Sequence, residues 1–390
     1  MFIGKSSLAV VLFTAALALA QPGRARFRHI IVDSSNSRPI DPWGKAVGDL
    51  NGDKRPDLTA GGRKTGGLAW YENSGDMSSW QRRSIAAGAG FSTDHEVADV
   101  DGDGDNDIVS IRDGLLWYEN ARGDGSEWTA HPVSPETLHD VEVADLNGDG
   151  MPDLAARNQG EWGDGTVVFI HRQEPRGKFT AAAKLPVLDG EGLLVTDLSG
   201  DGRPDIVVNG RWYENRNRAG EAGQWHEHVY GNDVWPNTFL AAGDINGDGR
   251  TDLVVAPSER DHDFHKRISW FEAPAEGSAP WREHTILSDT QAVHHFVGVA
   301  DFDGDGELDV ATAEMRQGDD PDLVAVFRNH GKGGSWERVD IADTGSHSMR
   351  IADLNGDGAP DLFGANWNTE ADPRGAPVEI WLNEWHKAVR

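Results

Sequence analysis

The stretch Asp145-Leu146-Asn147-Gly148-Asp149-Gly150-Met151-Pro152-Asp153 sets oxygen-bearing side chains at its first, third, fifth and ninth places, and Gly at its fourth and sixth. A hard cation asks for that arrangement. Ca²⁺ takes about six to eight oxygen ligands at roughly 2.3–2.6 Å, and a short segment supplies them only by curling around the ion. Gly permits the curl because it reaches positive φ without a Cβ penalty. The same stretch begins seven times, at Asp49, Asp99, Asp145, Asp197, Asp244, Asp301 and Asp353, at intervals of 46 to 57 residues. One such stretch arises by chance in an acidic chain. Seven at a near-constant step, each followed by a short apolar run, require a repeat architecture in which each unit buries its face on the next.

The unit reads as four strands. The first enters the turn, as in Val141–Leu146, and the second leaves it, as in Asp205-Ile206-Val207-Val208. The third carries Trp-Tyr-Glu-Asn, at Trp70–Asn73, Trp117–Asn120 and Trp212–Asn215. The fourth opens with an aromatic: Trp80, Trp128, Phe179, Trp225, Trp281 or Trp336. β-Branched and aromatic runs broken by Gly, Asn and Asp are strand signals, and no segment keeps a helical period. Seven four-stranded units predict an all-β, seven-bladed β-propeller in one domain over residues 21–390. The last unit supplies only three strands, ending at Val378–Asn383, while Phe27–Val32 resembles an orphan fourth strand. That segment is expected to complete the seventh blade and cover an exposed edge.

These turns, with Asp-x-Asn/Asp-Gly-Asp-Gly-x-x-Asp spacing and a following apolar strand, resemble the FG-GAP or VCBS repeats of integrin-α-type propellers. The resemblance covers nearly all of the expected mature chain; it is specific for fold and calcium and says little about activity. It implies Ca²⁺ at up to seven structural sites, in the turns between strands one and two. By position the ligands are Asp49, Asn51, Asp53 and Asp57; Asp99, Asp101, Asp103 and Asp107; Asp145, Asn147, Asp149 and Asp153; and Asp197, Ser199, Asp201 and Asp205. The series continues with Asp244, Asn246, Asp248 and Asp252; Asp301, Asp303, Asp305 and Asp309; and Asp353, Asn355, Asp357 and Asp361. Two turns depart from the pattern. Lys54 replaces the second Gly of the first, and Ser199 replaces the third-place Asp or Asn of the fourth. Those two sites are expected to bind most weakly.

The formal charge of −29 is concentrated in the turns, which hold 23 of the 65 acidic residues. Seven Ca²⁺ would leave about −15, a balance that disfavours nucleic acid as a partner. Lys5, the apolar run Leu8–Ala20 and Ala18-Leu19-Ala20 read as a signal peptide over residues 1–20, so a secreted or periplasmic location is expected. The run is too short to span a membrane comfortably, and no later segment is apolar enough. There is no Cys, so an exported chain needs another staple, and calcium would serve. A monomer is expected.

Strand directions put the turns on one face. The loops from strand two to three, and from each blade to the next, then surround the mouth of the central channel on the other face. Four Trp outside the repeat pattern fall there, Trp43, Trp162, Trp235 and Trp367, either as stacking platforms for sugar rings or as plugs between blades. Arg63, Arg112, Arg157, Arg211 and Arg316 gather there too, either to receive an anionic ligand or as solvated loop charges. Counting back six residues from each first Asp gives His139, Glu191, His295 and His347 on one rung. Converging His and carboxylate suits Zn²⁺ or Mn²⁺, while the alternative is a solvated lining. His95, two residues deeper, reads as structural.

Two functions follow as expectations. The first is a carbohydrate-active propeller, a metal-assisted polysaccharide lyase or sugar dehydratase acting on an anionic sugar, with His139, His295, His347 and Glu191 as its working residues. The second is a non-enzymatic adhesion or ligand-binding module of integrin-α type, with a carbohydrate or cell-surface ligand. No GxSxG element, phosphate loop or Cys nucleophile is present, so ordinary hydrolase chemistry has no support.

Overall fold

The computed structural model describes residues 26–34, 41–91, 94–160, 165–217, 224–259, 267–275, 279–288, 290, 293–315, 317, 321–366 and 377–385. Among these, 28 strands form seven four-stranded antiparallel sheets, the blades of a propeller. Blade 1 has strands Pro42–Gly48, Asp57–Gly62, Leu68–Asn73 and Trp80–Ala86, in that order outward. Blades 2 to 6 repeat the scheme, starting at His95, Asp140, Leu194, Thr238 and His294. Blade 7 is built from Met349–Ala352, Asp361–Gly364 and Val378–Asn383, with Phe27–Asp33 as its outermost strand. Phe27 faces Asn383 and Ile30 faces Ile380 in that pairing. Among the described residues no helix is long and apolar enough to cross a membrane. The signal-like residues 1–20 lie outside the described residues.

Burial explains why the strands differ in composition. Second strands such as Asp107–Ile111 are buried at every residue, because a neighbouring blade covers each face. They therefore read as continuous apolar runs. Fourth strands such as Trp80–Ala86 lie at the rim, are largely exposed, and carry charge that blunts the edge. Their basic residues have a fixed task. His131, His228 and His284 lie flat on Trp117, Trp212 and Trp270, with ring centroids 4.2–4.4 Å apart. Each also reaches the third-strand Glu beside that Trp, at 2.7–2.8 Å.

Blades are joined by a polar clamp as well as by apolar clusters. The residue ending most third strands is Asn or Gln, and its amide nitrogen crosses to a backbone carbonyl of the preceding blade. Asn73 donates to Leu354, Asn120 to Leu50, Gln173 to Val100, Asn215 to Leu146, Asn329 to Ile245 and Asn383 to Phe302, all at 2.8–2.9 Å. Each such bond is buried, so losing the donor would strand a carbonyl.

Candidate functional site

On the turn side every ninth-place Asp is locked. Asp57 accepts the amide of Leu50 at 2.9 Å on one oxygen and that of Asn73 at 2.8 Å on the other. The other six repeat the pattern, as when Asp153 takes Leu146 and Gln173. Burial, outweighing these amides, pushes the seven carboxyls up, Asp153 to about 7 and Asp205 to about 6. First-place Asp residues collect loop amides: Asp145 accepts from Gly148 at 2.7 Å, Asp149 at 3.1 Å and Gly150 at 2.8 Å.

The turns nonetheless fit a cation, because each carboxylate oxygen keeps a second lone pair. In blade 2, Asp99, Asp101 and Asp107 each place an oxygen within 4.8 Å of the others, and Asp301, Asp303 and Asp309 do so in blade 6. In blade 3 both polar atoms of the buried Asn147 side chain lack a protein partner. The turns are not equivalent. Lys54 sits at φ 69°, a conformation a side chain disfavours. The guanidinium groups of Arg55, Arg203 and Arg250 grip the fifth-place Asp of blades 1, 4 and 5, and that of Arg328 grips Asp303. Sequence reading missed these clamps, although Arg at the seventh place was visible in three turns.

At the opposite face the rung converges. His347 is stacked on His295 with centroids 4.2 Å apart, and Trp43 on His347 at 4.8 Å. The Arg63 guanidinium lies 3.8 Å from the Trp43 ring, and Phe239 stands 4.7 Å from His295. A stack thus runs through blades 1, 7 and 6, and the tilted ring of Phe239 carries the contact on into blade 5. Glu191 stands across from it, with its carboxylate 3.4 Å from His139 Nε2 and 3.7 Å from His295 Nε2. Asp140 holds His139 through Nδ1 at 2.9 Å and accepts the Gly192 amide with its other oxygen at 3.0 Å. His139, Glu191, His295 and His347 are 1–3 % exposed, so they form a packed cluster rather than the solvated lining the sequence left open.

The electrostatics follow from that burial. Burial lowers His139, but the Asp140 and Glu191 carboxylates outweigh it and hold the imidazole up at about 9. Burial drives His295 down to about 3, helped by His139, and drives His347 well below its usual range. Burial pushes Glu191 up, with His139 opposing. Glu191, Glu259 and His295 bring ligand atoms within 4.8 Å of one another. Neither Glu191 Oε1 nor His295 Nδ1 has a hydrogen-bond partner. One imidazole and two carboxylates suit a divalent transition ion. The set differs from the expected trio of His139, His295 and His347, because Asp140 holds His139 and His347 is sandwiched between rings.

An FG-GAP-like repeat model matches residues 49–110, 99–156, 145–208, 197–255, 244–312 and 301–364. The chain belongs to the FG-GAP-like repeat family. No curated protein matches it. Among solved structures, this FG-GAP propeller is similar to an Agrocybe aegerita lectin that recognises non-reducing terminal N-acetylglucosamine, at 19% identity. That match covers 87% of this chain and 85% of the lectin, with a TM-score of 0.52. The V. cholerae biofilm matrix protein Bap1 is 12% identical, over 92% of this chain and 91% of its own, with a TM-score of 0.47. The first likeness shows the shared fold.

The remaining expected mouth residues of this FG-GAP propeller are largely committed to the protein itself. Arg157 is buried and donates to the carbonyls of Gly192 at 2.6 Å and Leu188 at 2.8 Å and to Asn209 at 3.1 Å, so its guanidinium braces blade 4 against blade 3. Arg112 donates to the Ala87 carbonyl at 2.9 Å and lies over Phe91. Arg211 pairs with Glu227 at 3.1 Å. Trp43 belongs to a strand and is 9% exposed, and Trp235 is half-buried beside Thr238. Trp162, Trp367 and Arg316 lie outside the described residues. His95 is fully buried against Gly44 and Gly61, as a structural residue would be. Beside the stack, Arg63, Phe91, Asp113 and Thr137 line a cavity of about 350 Å³. Glu259, which completes the ligand set, was missed because it stands in an irregular loop of blade 5 outside the repeat pattern.

Proposed function

We propose that this is an exported propeller, braced by Ca²⁺ in its turns, that binds carbohydrate at the channel mouth. The observation that carries the reading is the convergence of Trp43, His139, Glu191, His295 and His347 from five blades, with Arg63 bordering the cavity beside them. The cluster itself is packed, and the cavity it borders, lined by Arg63, Phe91, Asp113 and Thr137, sets polar groups beside an aromatic ring, the chemistry of sugar recognition. The lectin neighbour, a protein of the same fold that binds a sugar, is consistent with this. Glu191, Glu259 and His295 would hold a divalent ion such as Zn²⁺ or Mn²⁺, which when bound supplies a positive centre for an acidic sugar. Because Glu191 is pushed up by burial, loading that ion would release protons.

Glycan-array binding by the full chain tests this reading. Replacing His139, His295 and His347 together by Ala is expected to abolish binding, and Arg63→Ala to weaken it. Undiminished binding by the triple variant would instead favour an adhesion surface elsewhere on the ring. A second reading, β-elimination on a uronate polysaccharide, is favoured by the His139–Asp140 pair, which holds a proton at a fixed Nε2 next to Glu191. Incubation with such polysaccharides and Mn²⁺ or Zn²⁺ should then yield ultraviolet-absorbing unsaturated ends. Their absence with every ion tried would leave the binding reading alone.

A further inference from the structure

Six blades send an Asn or Gln across the seam to the blade before. Blade 5 has Ala273 at that place. Its backbone is in register with the others, because the Ala273 amide still donates to Asp252 at 2.8 Å, just as Asn73 does to Asp57. Only the side chain that would cross toward Leu198 is missing. At that seam, on the turn side and remote from the mouth, lies a cavity of about 390 Å³. Trp212, Trp281, His228, Glu214, Arg250 and Ser199 line it.

The lining has a definite chemistry. Trp212 is 7% exposed and covered by His228, so Trp281 is the indole that faces the opening. Arg250 is engaged by Asp248 and by the Ala273 carbonyl, and Glu214 by Arg216 at 2.7 Å and His228 at 2.8 Å. Among the described residues no lining cation is therefore left over for an anion, and the acidic turns of blades 4 and 5 flank the opening. The half-buried Trp281 indole can accept the C–H face of a sugar ring, while the Glu214 carboxylate and the Ser199 hydroxyl can meet its hydroxyl groups. The volume is of the order that encloses a small ligand, about 300–1,000 Å³.

We infer that the seam between blades 4 and 5 is a binding site for a neutral pyranose, separate from the mouth, and that Ala at position 273 is what opens it. The full chain is titrated with the methyl glycosides of glucose, galactose, mannose and N-acetylglucosamine, followed by Trp fluorescence and by saturation-transfer NMR. At least one is expected to saturate. Ala273→Asn, which restores the clamp into the cavity, is expected to weaken it about tenfold or more, roughly 1.4 kcal/mol. Trp281→Leu should do the same, and His295→Ala, at the mouth, should leave it unchanged. Should Ala273→Asn fail to fold, Trp281→Leu decides. Saturation by none of the four, wild-type affinity in the variant that decides, or loss of binding in His295→Ala overturns the assignment.

Discussion

Asp153 and Glu191 are both buried carboxyls, yet they are kept in opposite ways. Asp153 sits on the turn side with an amide on each oxygen, and the same bracket recurs in all seven blades. Glu191 sits at the mouth, where one oxygen takes Gln159 at 3.3 Å and the other has no hydrogen-bond donor. Its environment occurs once. Main-chain amides come with every repeat, so a solution built on them can be copied. A solution built on His139, His295 and Glu259 depends on which blades carry those side chains. The turn side is scaffold in seven copies, and the mouth is a single site assembled from unlike parts.

Chelation should expose this difference most strongly. A site held at a hundredfold excess over its Kd adds about 2.7 kcal/mol to stability. Stripping several turns of Ca²⁺ is therefore expected to lower the Tm by roughly 10 °C or more in calorimetry. An unchanged Tm would mean that the turns stand on their own amides. A smaller effect is expected from Asn329→Ala, which removes the donor to the buried Ile245 carbonyl. It should cost about 1–3 kcal/mol in urea denaturation. A negligible loss would deny the clamps their part in joining blades.

A third effect, seen only as pH is changed, concerns the channel below the mouth. There Arg350 reaches Asp94 at 2.5 Å and Glu96 at 3.5 Å. Burial, helped by Asp94 and opposed by Arg350, pushes the Glu96 carboxyl from 4.5 up to about 8. A group raised on folding stabilises fully below its unfolded pKa, and that contribution is lost as pH rises through the folded one. Glu96→Gln should therefore gain on the wild type as pH goes from 4.5 to above 8. Urea midpoints at pH 5 and 9 measure the gain, and parallel curves for the two proteins would refute it.

The fold could be read from the sequence because its cues are local and repeated. The turn spacing, the Trp-Tyr-Glu-Asn strands and the aromatic opening each fourth strand all lie within about fifty residues. Contacts across seams were harder to see. Asn215 meets Leu146 across 69 residues, and nothing near Asn215 in the chain points to that partner. The rung was legible by counting back from the turns, since repeats share register. Its ligand set was not, because whether His347 ligates or stacks depends on Trp43 beside it. The arginines misled in the same way. Loop position placed Arg157 near the mouth, but only the fold shows the carbonyls of Gly192 and Leu188 that occupy it.

The strand Phe27–Asp33 pairs with Val378–Asn383, and His29 reaches Glu379 at 2.5 Å across 350 residues. Contacts so far apart in sequence form late. The strand that shuts the ring is thus set in place after the blades it joins. Closing the ring therefore waits on one pairing, and until it forms the outer edge of blade 7 stays open to any other strand that can supply the same hydrogen bonds.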